Sequence, residues 1–231
     1  LHLSLRRQRQ MCIRDRVFDI NTCGIYEGRE PRFYANIVFH GSQIFFNADK
    51  GAVTVDRYLM DTPDKGDGSL TGYNVWKWID YDNYNYPYAG AGSPDFSTNW
   101  IILRYAEIYL NDAEARLETG DVEGARKAVN MIRQRVGLPD LTESDPEKLR
   151  ELIRKERRIE FAFEEQRFYD VRRWKIGPET QTTLHGVRFV SPTEFKVTKT
   201  DIRTWNDRLY LTPVPHDEIV RSSVLKQNPG Y

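Results

Sequence analysis

Between Ser97 and Trp174, apolar residues recur at helical spacing and are cut by glycine, proline and acidic caps into four pieces, which constrains the fold more than any other feature. In the first piece Ile102, Ala106, Tyr109, Ala113 and Leu117 recur at intervals of three and four and so share one face of an α-helix, with Ser97 or Thr98 placed to cap its start. Gly120-Asp121 closes that helix and caps the next. The second helix carries Val122, Ala125, Val129, Ile132 and Val136 on one face, and Gly137 with Pro139 ends it. A link this short predicts an antiparallel helical hairpin.

The third helix begins at Ser144-Asp145-Pro146-Glu147, where proline suits the first turn and Ser144 with Glu147 has capping-box spacing. Its apolar face is Leu149, Leu152 or Ile153, Ile159 and Phe163, and a short final helix carries Phe168 and Trp174. The Gly-Asp turn and small alanines of the first pair are similar to a tetratricopeptide-type unit. Outside this block, residues 17–96 hold short strand candidates such as Asn36-Ile37-Val38-Phe39 and Val75-Trp76-Lys77-Trp78-Ile79 between Gly, Asp and Asn turns. Residues 177–231 read as loops with two short strand candidates, and no low-complexity linker separates the parts, so one composite domain is expected.

Thirty-four basic residues balance thirty-four acidic ones, which removes the electrostatic case for nucleic acid or anionic lipid. Two cysteines, Cys12 and Cys23, with no clustered histidine argue against a zinc site or disulfide framework. No apolar run approaches the roughly 18 residues that span a bilayer. Residues 1–16 are basic and aperiodic, read as non-native or disordered, and are set apart from the fold.

Glu156, Glu160 and Glu164 are spaced by four and share a helix face, as a carboxylate pair for glycoside hydrolysis would, with Glu160 as acid and Glu164 as nucleophile. Arg154, Arg157, Arg158 and Arg167 surround them, and an alternating-sign face is more often a salt-bridged structural network. Arg104, Glu107, Asn111, Glu114 and Glu118 form a similar stripe. The histidines His2, His40, His185 and His216 are isolated, and no metal, cofactor or nucleophile motif is present, so no cofactor is expected.

Thirteen Tyr, eleven Phe and five Trp serve either a core or a stacking surface, and residues 73–88 concentrate them. Trp76 and Trp78 alternate on one strand and read as core residues with a possible binding role for Trp78. Tyr84, Tyr86 and Tyr88 sit in a polar loop with Asn83 and Asn85, where aromatic faces can stack on the C–H faces of sugars and amides can bond to hydroxyls. Trp205 is a second loop aromatic of the same kind.

Six segments in order carry a resemblance to a known family: Glu30-Pro31-Arg32-Phe33-Tyr34, Leu70 to Lys77, Arg104 to Ala115, Asn130 to Pro139, Glu156 to Trp174, and Leu211 to Ile219, with the chain ending Gln227-Asn228-Pro229-Gly230-Tyr231. They resemble the SusD/RagB family, surface nutrient-binding lipoproteins of Bacteroidetes-type bacteria, over that family's C-terminal half. The resemblance implies a mainly α, tetratricopeptide-like scaffold with an irregular, strand-containing segment (17–96) that forms much of the ligand face, beside a helical part (97–176) and a loop-rich tail (177–231). It implies a non-catalytic protein, anchored at the outer membrane by an N-terminal lipid outside this chain. Such a protein binds oligosaccharides, or peptides in some members, and delivers them to a SusC-like TonB-dependent transporter. Where the family has glycine near position 165 this chain has Glu165, which predicts a softer break between the last two helices. A longer natural chain is expected. The competing class is an intracellular helical-repeat adaptor that binds peptide.

Overall fold

A computed structural model describes residues 17–20, 24–45, 52–56, 58, 69–78 and 99–231. Residues 1–16 and the loop 79–98, with Asn83, Tyr84, Asn85, Tyr86 and Tyr88, lie outside the described residues.

Three helices build the main core. Helix α2 (Tyr105–Glu118), α3 (Val122–Arg135) and α4 (Pro146–Glu160) follow α1 (Pro31–Asn36) in the chain. Leu110, Ala113 and Leu117 of α2 pack against Ala125, Ala128, Val129 and Ile132 of α3, with Leu149 and Ile153 of α4 and Phe161 closing the cluster. Ala113, Leu117, Ala125, Val129, Ile132, Leu149 and Ile153 are thus buried as periodicity expected, whereas Phe163, expected on the same face of α4, lies beyond the helix end and is 42% exposed. Gly120 reaches φ +90°, which glycine adopts without steric cost, and the Asp121 carboxylate accepts from Gly124 N at 2.8 Å. The α3–α4 connection is tied back by buried Asn130, whose amide bonds both the N–H and the carbonyl of Leu141 at 2.8 and 3.2 Å.

Two boundaries differ from expectation. Helix α2 begins at Tyr105, because the Arg104 backbone is extended (φ −140°, ψ 158°) and its side chain is drawn to acidic residues after α4. Ile102 thus precedes the helix and is 86% exposed. At α4 it is Asp145 that caps, accepting from the N–H groups of Glu147 and Lys148 at 3.0 and 3.1 Å. Ser144 has no such role, and Glu147 instead pairs with Arg150.

The break after α4 is sharp. Phe163 and Glu165 both take left-handed backbone angles, φ +66° and +62°, each costing a non-glycine residue on the order of 1–2 kcal/mol. Tertiary contacts hold the turn: Lys77 Nζ donates to the carbonyls of Glu160 and Ala162, and Trp78 Nε1 donates to the Phe163 carbonyl at 3.0 Å. Helix α5 (Gln166–Arg173) then turns back against α2 through Arg173, which bonds both Glu114 oxygens at 2.6 and 2.7 Å.

The tail holds more strand than periodicity suggested. Strands β6 (Thr182–Phe189) and β7 (Glu194–Arg203) form an antiparallel hairpin, and β1 (Val17–Asp19) pairs along β7, giving the order β1-β7-β6. Arg188 lies between Val187 and Phe189, and Lys196 between Phe195 and Val197, and that half-buried alternation is what an antiparallel sheet needs. The turn at 70–72 docks on β6: Val187 N donates to Thr71 O, and a Cβ on Gly72 would sit 2.1 Å from the Val187 carbonyl. Two small pairs, β2 (Ile37–Val38) with β5 (Asn74–Val75) and β3 (Gln43–Phe45) with β4 (Ala52–Thr54), complete the strand set. A short helix α6 (His216–Arg221) lies near the end.

Two predictions follow from this packing. Ile102, Leu103 and Tyr105 are 86%, 64% and 70% exposed, and neighbouring apolar side chains left open to water favour association. Expressed alone, residues 17–231 are expected to self-associate in sedimentation; a monomer that melts cooperatively would contradict this. Glu165→Gly should stabilise the protein by about 1 kcal/mol, read as a raised melting temperature, by relieving the left-handed strain.

Candidate functional site

Glu156 and Glu160 share a face of α4, whereas Glu164 lies in the turn beyond the helix end, so the three do not form the single helical stripe expected from spacing; their partners come from other segments. Glu156 pairs with Arg32 (2.6 Å) and Arg133 (2.8 Å). Glu160 pairs with Arg32 (2.7 Å), Arg135 (2.7 Å) and Arg104. Glu164 pairs with Arg104 (2.7 Å) and Lys77. Of the arginines adjacent in sequence, Arg157 turns the other way, bonding both Asp170 oxygens at 2.9 Å and Asn111 at 2.8 Å. The network is thus assembled across the fold, not along one helix.

Its centre is dry. Arg32, Glu156 and Glu160 are 7%, 3% and 2% exposed. Burial works against the charge on Arg32, yet hydrogen bonds from its guanidinium to Glu30, Glu160 and Glu156 hold it protonated more firmly than a free arginine. For Glu160, burial alone would raise the pKa, but bonds from Arg104 and Arg32 bring it below the usual value of 4.5. A glycosidase acid needs the opposite shift, so that it stays protonated near neutral pH. These carboxylates are arranged to hold helices together. The stripe on α2 does the same: Glu114 takes bonds from Arg173 and Trp174, Asn111 from Arg157, and Glu118 from Arg150.

A ligand-sized space lies on the other side of the 161–165 turn. An open groove of about 890 Å³ is lined by Val75, Trp78, Trp100, Phe161, Phe163 and Tyr169, among others. Trp78 and Trp100 stack at 4.6 Å between ring centroids and 19° between planes. Phe168 and Tyr169 meet edge to face at 5.2 Å. Trp100 and Tyr169 are 56% and 62% exposed. In sequence, residues 79–98 with the expected tyrosines lie between Trp78 and Trp100, and those two tryptophans line the groove.

Trp78 is half-buried and lines the groove, whereas Trp76 packs on Val38 and Val55. Trp205 lies apart from it, tilted on Tyr210 at 4.8 Å, with its ring against Gly177, where a Cβ would come within 1.9 Å. Trp100, Phe163 and Tyr169 were not singled out by sequence reasoning. The signal available was Asn99-Trp100 just before the helix carrying Arg104, an unburied aromatic at the far end of the loop. Among the described residues no group of His, Cys, Asp and Glu gathers to hold a metal, and no helix is long and apolar enough to cross a membrane.

The SusD family model matches residues 19–231. This chain belongs to the SusD family. It is 38% identical over 155 residues to SusD-like protein P2 of Formosa agariphila, covering 62% of this chain and 28% of that protein. It is 32% identical to SusD-like protein P25 of the same organism, covering 65% and 31%. A solved SusD-like protein from Bacteroides fragilis is 96% identical, with a TM-score of 0.88 over 95% of this chain and 42% of that one. A SusD-like carbohydrate-binding protein from the same species is 25% identical, with a TM-score of 0.60, covering 87% and 42%. The chain therefore spans about a third of the curated relatives and under half of these solved SusD-like proteins. The mainly helical fold expected from sequence is the fold these SusD-like structures share.

The Glu160 pairing makes a prediction about pH. Because its folded-state pKa is lowered, Glu160 contributes stability that is present above the unfolded value of about 4.5 and is lost as pH falls through the lower folded value. Glu160→Gln should destabilise the full-length protein by about 3–5 kcal/mol at neutral pH, by leaving buried guanidiniums unpaired. It should also flatten the acid limb of stability against pH. Urea denaturation from about pH 7 down to about pH 2, through and below the ordinary carboxylate range, checks both.

Proposed function

We propose that the full-length protein captures oligosaccharides at the cell surface without chemical turnover and passes them to a SusC-like TonB-dependent transporter. An N-terminal lipid outside this chain anchors it to the outer membrane. The observation that carries this reading is the groove built on the stacked Trp78 and Trp100, in a chain of the SusD family. Flat indoles and tyrosines bury the apolar faces of sugar rings, while the Asn side chains of residues 79–98 supply donors and acceptors for hydroxyls. A carbohydrate-binding B. fragilis relative of the same fold supports the ligand class.

Residues 17–96 serve in this reading as the ligand-face segment, residues 97–176 as the scaffold and 177–231 as the tail. The ligand contacts are Trp78, Tyr84, Tyr86 and Tyr88, with Asn83 and Asn85; Trp205 is a further contact. The saturated pairing of Glu160 and Glu164 supports binding over hydrolysis. Family membership favours surface capture over an intracellular peptide adaptor.

The test replaces Tyr84, Tyr86 and Tyr88 by Ala in the full-length protein and titrates oligosaccharides by calorimetry at an unchanged melting temperature. A stacked ring contributes roughly 0.5–1.5 kcal/mol beyond its buried area, so the triple variant should bind at least about tenfold more weakly. Unchanged affinity, or turnover of the oligosaccharide abolished by Glu160→Gln, would overturn the proposal.

A further inference from the structure

The helical block pairs its guanidiniums thoroughly: Arg104, Arg133, Arg135, Arg150, Arg157 and Arg173 each hold a carboxylate at under 3 Å. Arg158 and Arg167 do not. They lie on either side of the 161–165 turn, and both line the aromatic groove. Among the described residues neither makes an ion pair or hydrogen bond. Glu165 lines the same groove but pairs with neither, so two guanidiniums face one carboxylate there. Burial disfavours the charge on Arg167 and the nearby positive charge of Arg158 disfavours it further, and the smaller pull of Asp170 and Glu179 leaves its pKa below the ordinary arginine value. Two close cations repel each other, and an anion seated between them offsets that repulsion.

We propose that this groove takes an acidic sugar unit, its carboxylate or sulfate held by Arg158 and Arg167 and its ring laid against Trp100 or Tyr169. The planar guanidinium fork matches a carboxylate or sulfate with two parallel hydrogen bonds, which a hydroxyl cannot offer. Trp100 and Tyr169, both more than half exposed, present ring faces to the same space. Phe168 is less available, since Arg172 lies over its ring at 3.4 Å. The specificity follows: the protein prefers an anionic oligosaccharide to its neutral counterpart, and the preference weakens with added salt, as exposed charge contacts do.

This inference rests on the oligosaccharide-binding reading and deepens it. The experiment titrates the full-length protein with oligogalacturonate and its carboxyl-reduced form, and with chondroitin sulfate oligosaccharide and its desulfated form. Arg158→Gln and Arg167→Gln are titrated alongside. We expect at least one acidic ligand to bind about tenfold more tightly than its neutralised counterpart, with that margin lost in Arg158→Gln. Whether the carboxylate pair or the sulfate pair shows the margin identifies the anion. Equal affinity for acidic and neutral forms, or a margin intact in both variants, would overturn the inference and leave oligosaccharide binding standing. A variant that lowers the melting temperature while every affinity is unchanged would assign the arginines to an internal contact and also overturn it. Binding of none of the four ligands would count against oligosaccharide capture itself, and this inference would fall with it.

Discussion

The contact on which the rest of the structure depends is the Arg32 guanidinium, buried among Glu30, Glu156 and Glu160. Arg32 lies 124 and 128 residues from Glu156 and Glu160 along the chain, so the pairing can form only when α1 docks on α4. Burying such charges costs several kcal/mol per ion unless each is paired and its remaining hydrogen-bonding capacity is met. That requirement explains the density of the network: every carboxylate added to the face of α4 is matched by a cation from a different segment. Arg104 and Arg157 also stack over Phe161, at 4.5 and 5.1 Å, which links the ionic layer to the apolar core.

The network reaches the groove through Lys77. Its ammonium pairs with Glu164 and bonds the carbonyls of Glu160 and Ala162, and the next residue, Trp78, bonds Phe163 O. The left-handed turn at 163–165 is thereby held open against its own strain, and Phe163, Phe168 and Tyr169 are presented to Trp78 and Trp100. Scaffold and groove are one construction: the charges that look catalytic in sequence shape the space beside them.

Much of the helical part was legible because 3.6-residue periodicity reports burial directly: Ala113, Leu117, Ala125, Val129, Leu149 and Ile153 are buried on the faces their spacing indicates, with Leu110 buried beside them. What was not legible depends on partners distant in sequence. Arg104 keeps the chain extended where local capping signals placed a helix, Glu165 occupies a left-handed angle because tertiary bonds impose it, and the 182–203 hairpin alternates with threonine and lysine in a pattern weaker than a run of valines. At the site, clustering in 73–88 pointed to Trp78. Trp100, Phe163 and Tyr169 come from three further segments, and only the turn brings them together.

Hydrogen–deuterium exchange on the full-length protein, with and without a bound oligosaccharide, tests most directly whether the groove is the ligand face and the carboxylate stripe its support. The account predicts new protection in peptides covering 75–100 and 161–169 and none across the core of α3 and α4, which is already protected. Protection centred on Glu156 and Glu160, with the groove peptides unchanged, would contradict it.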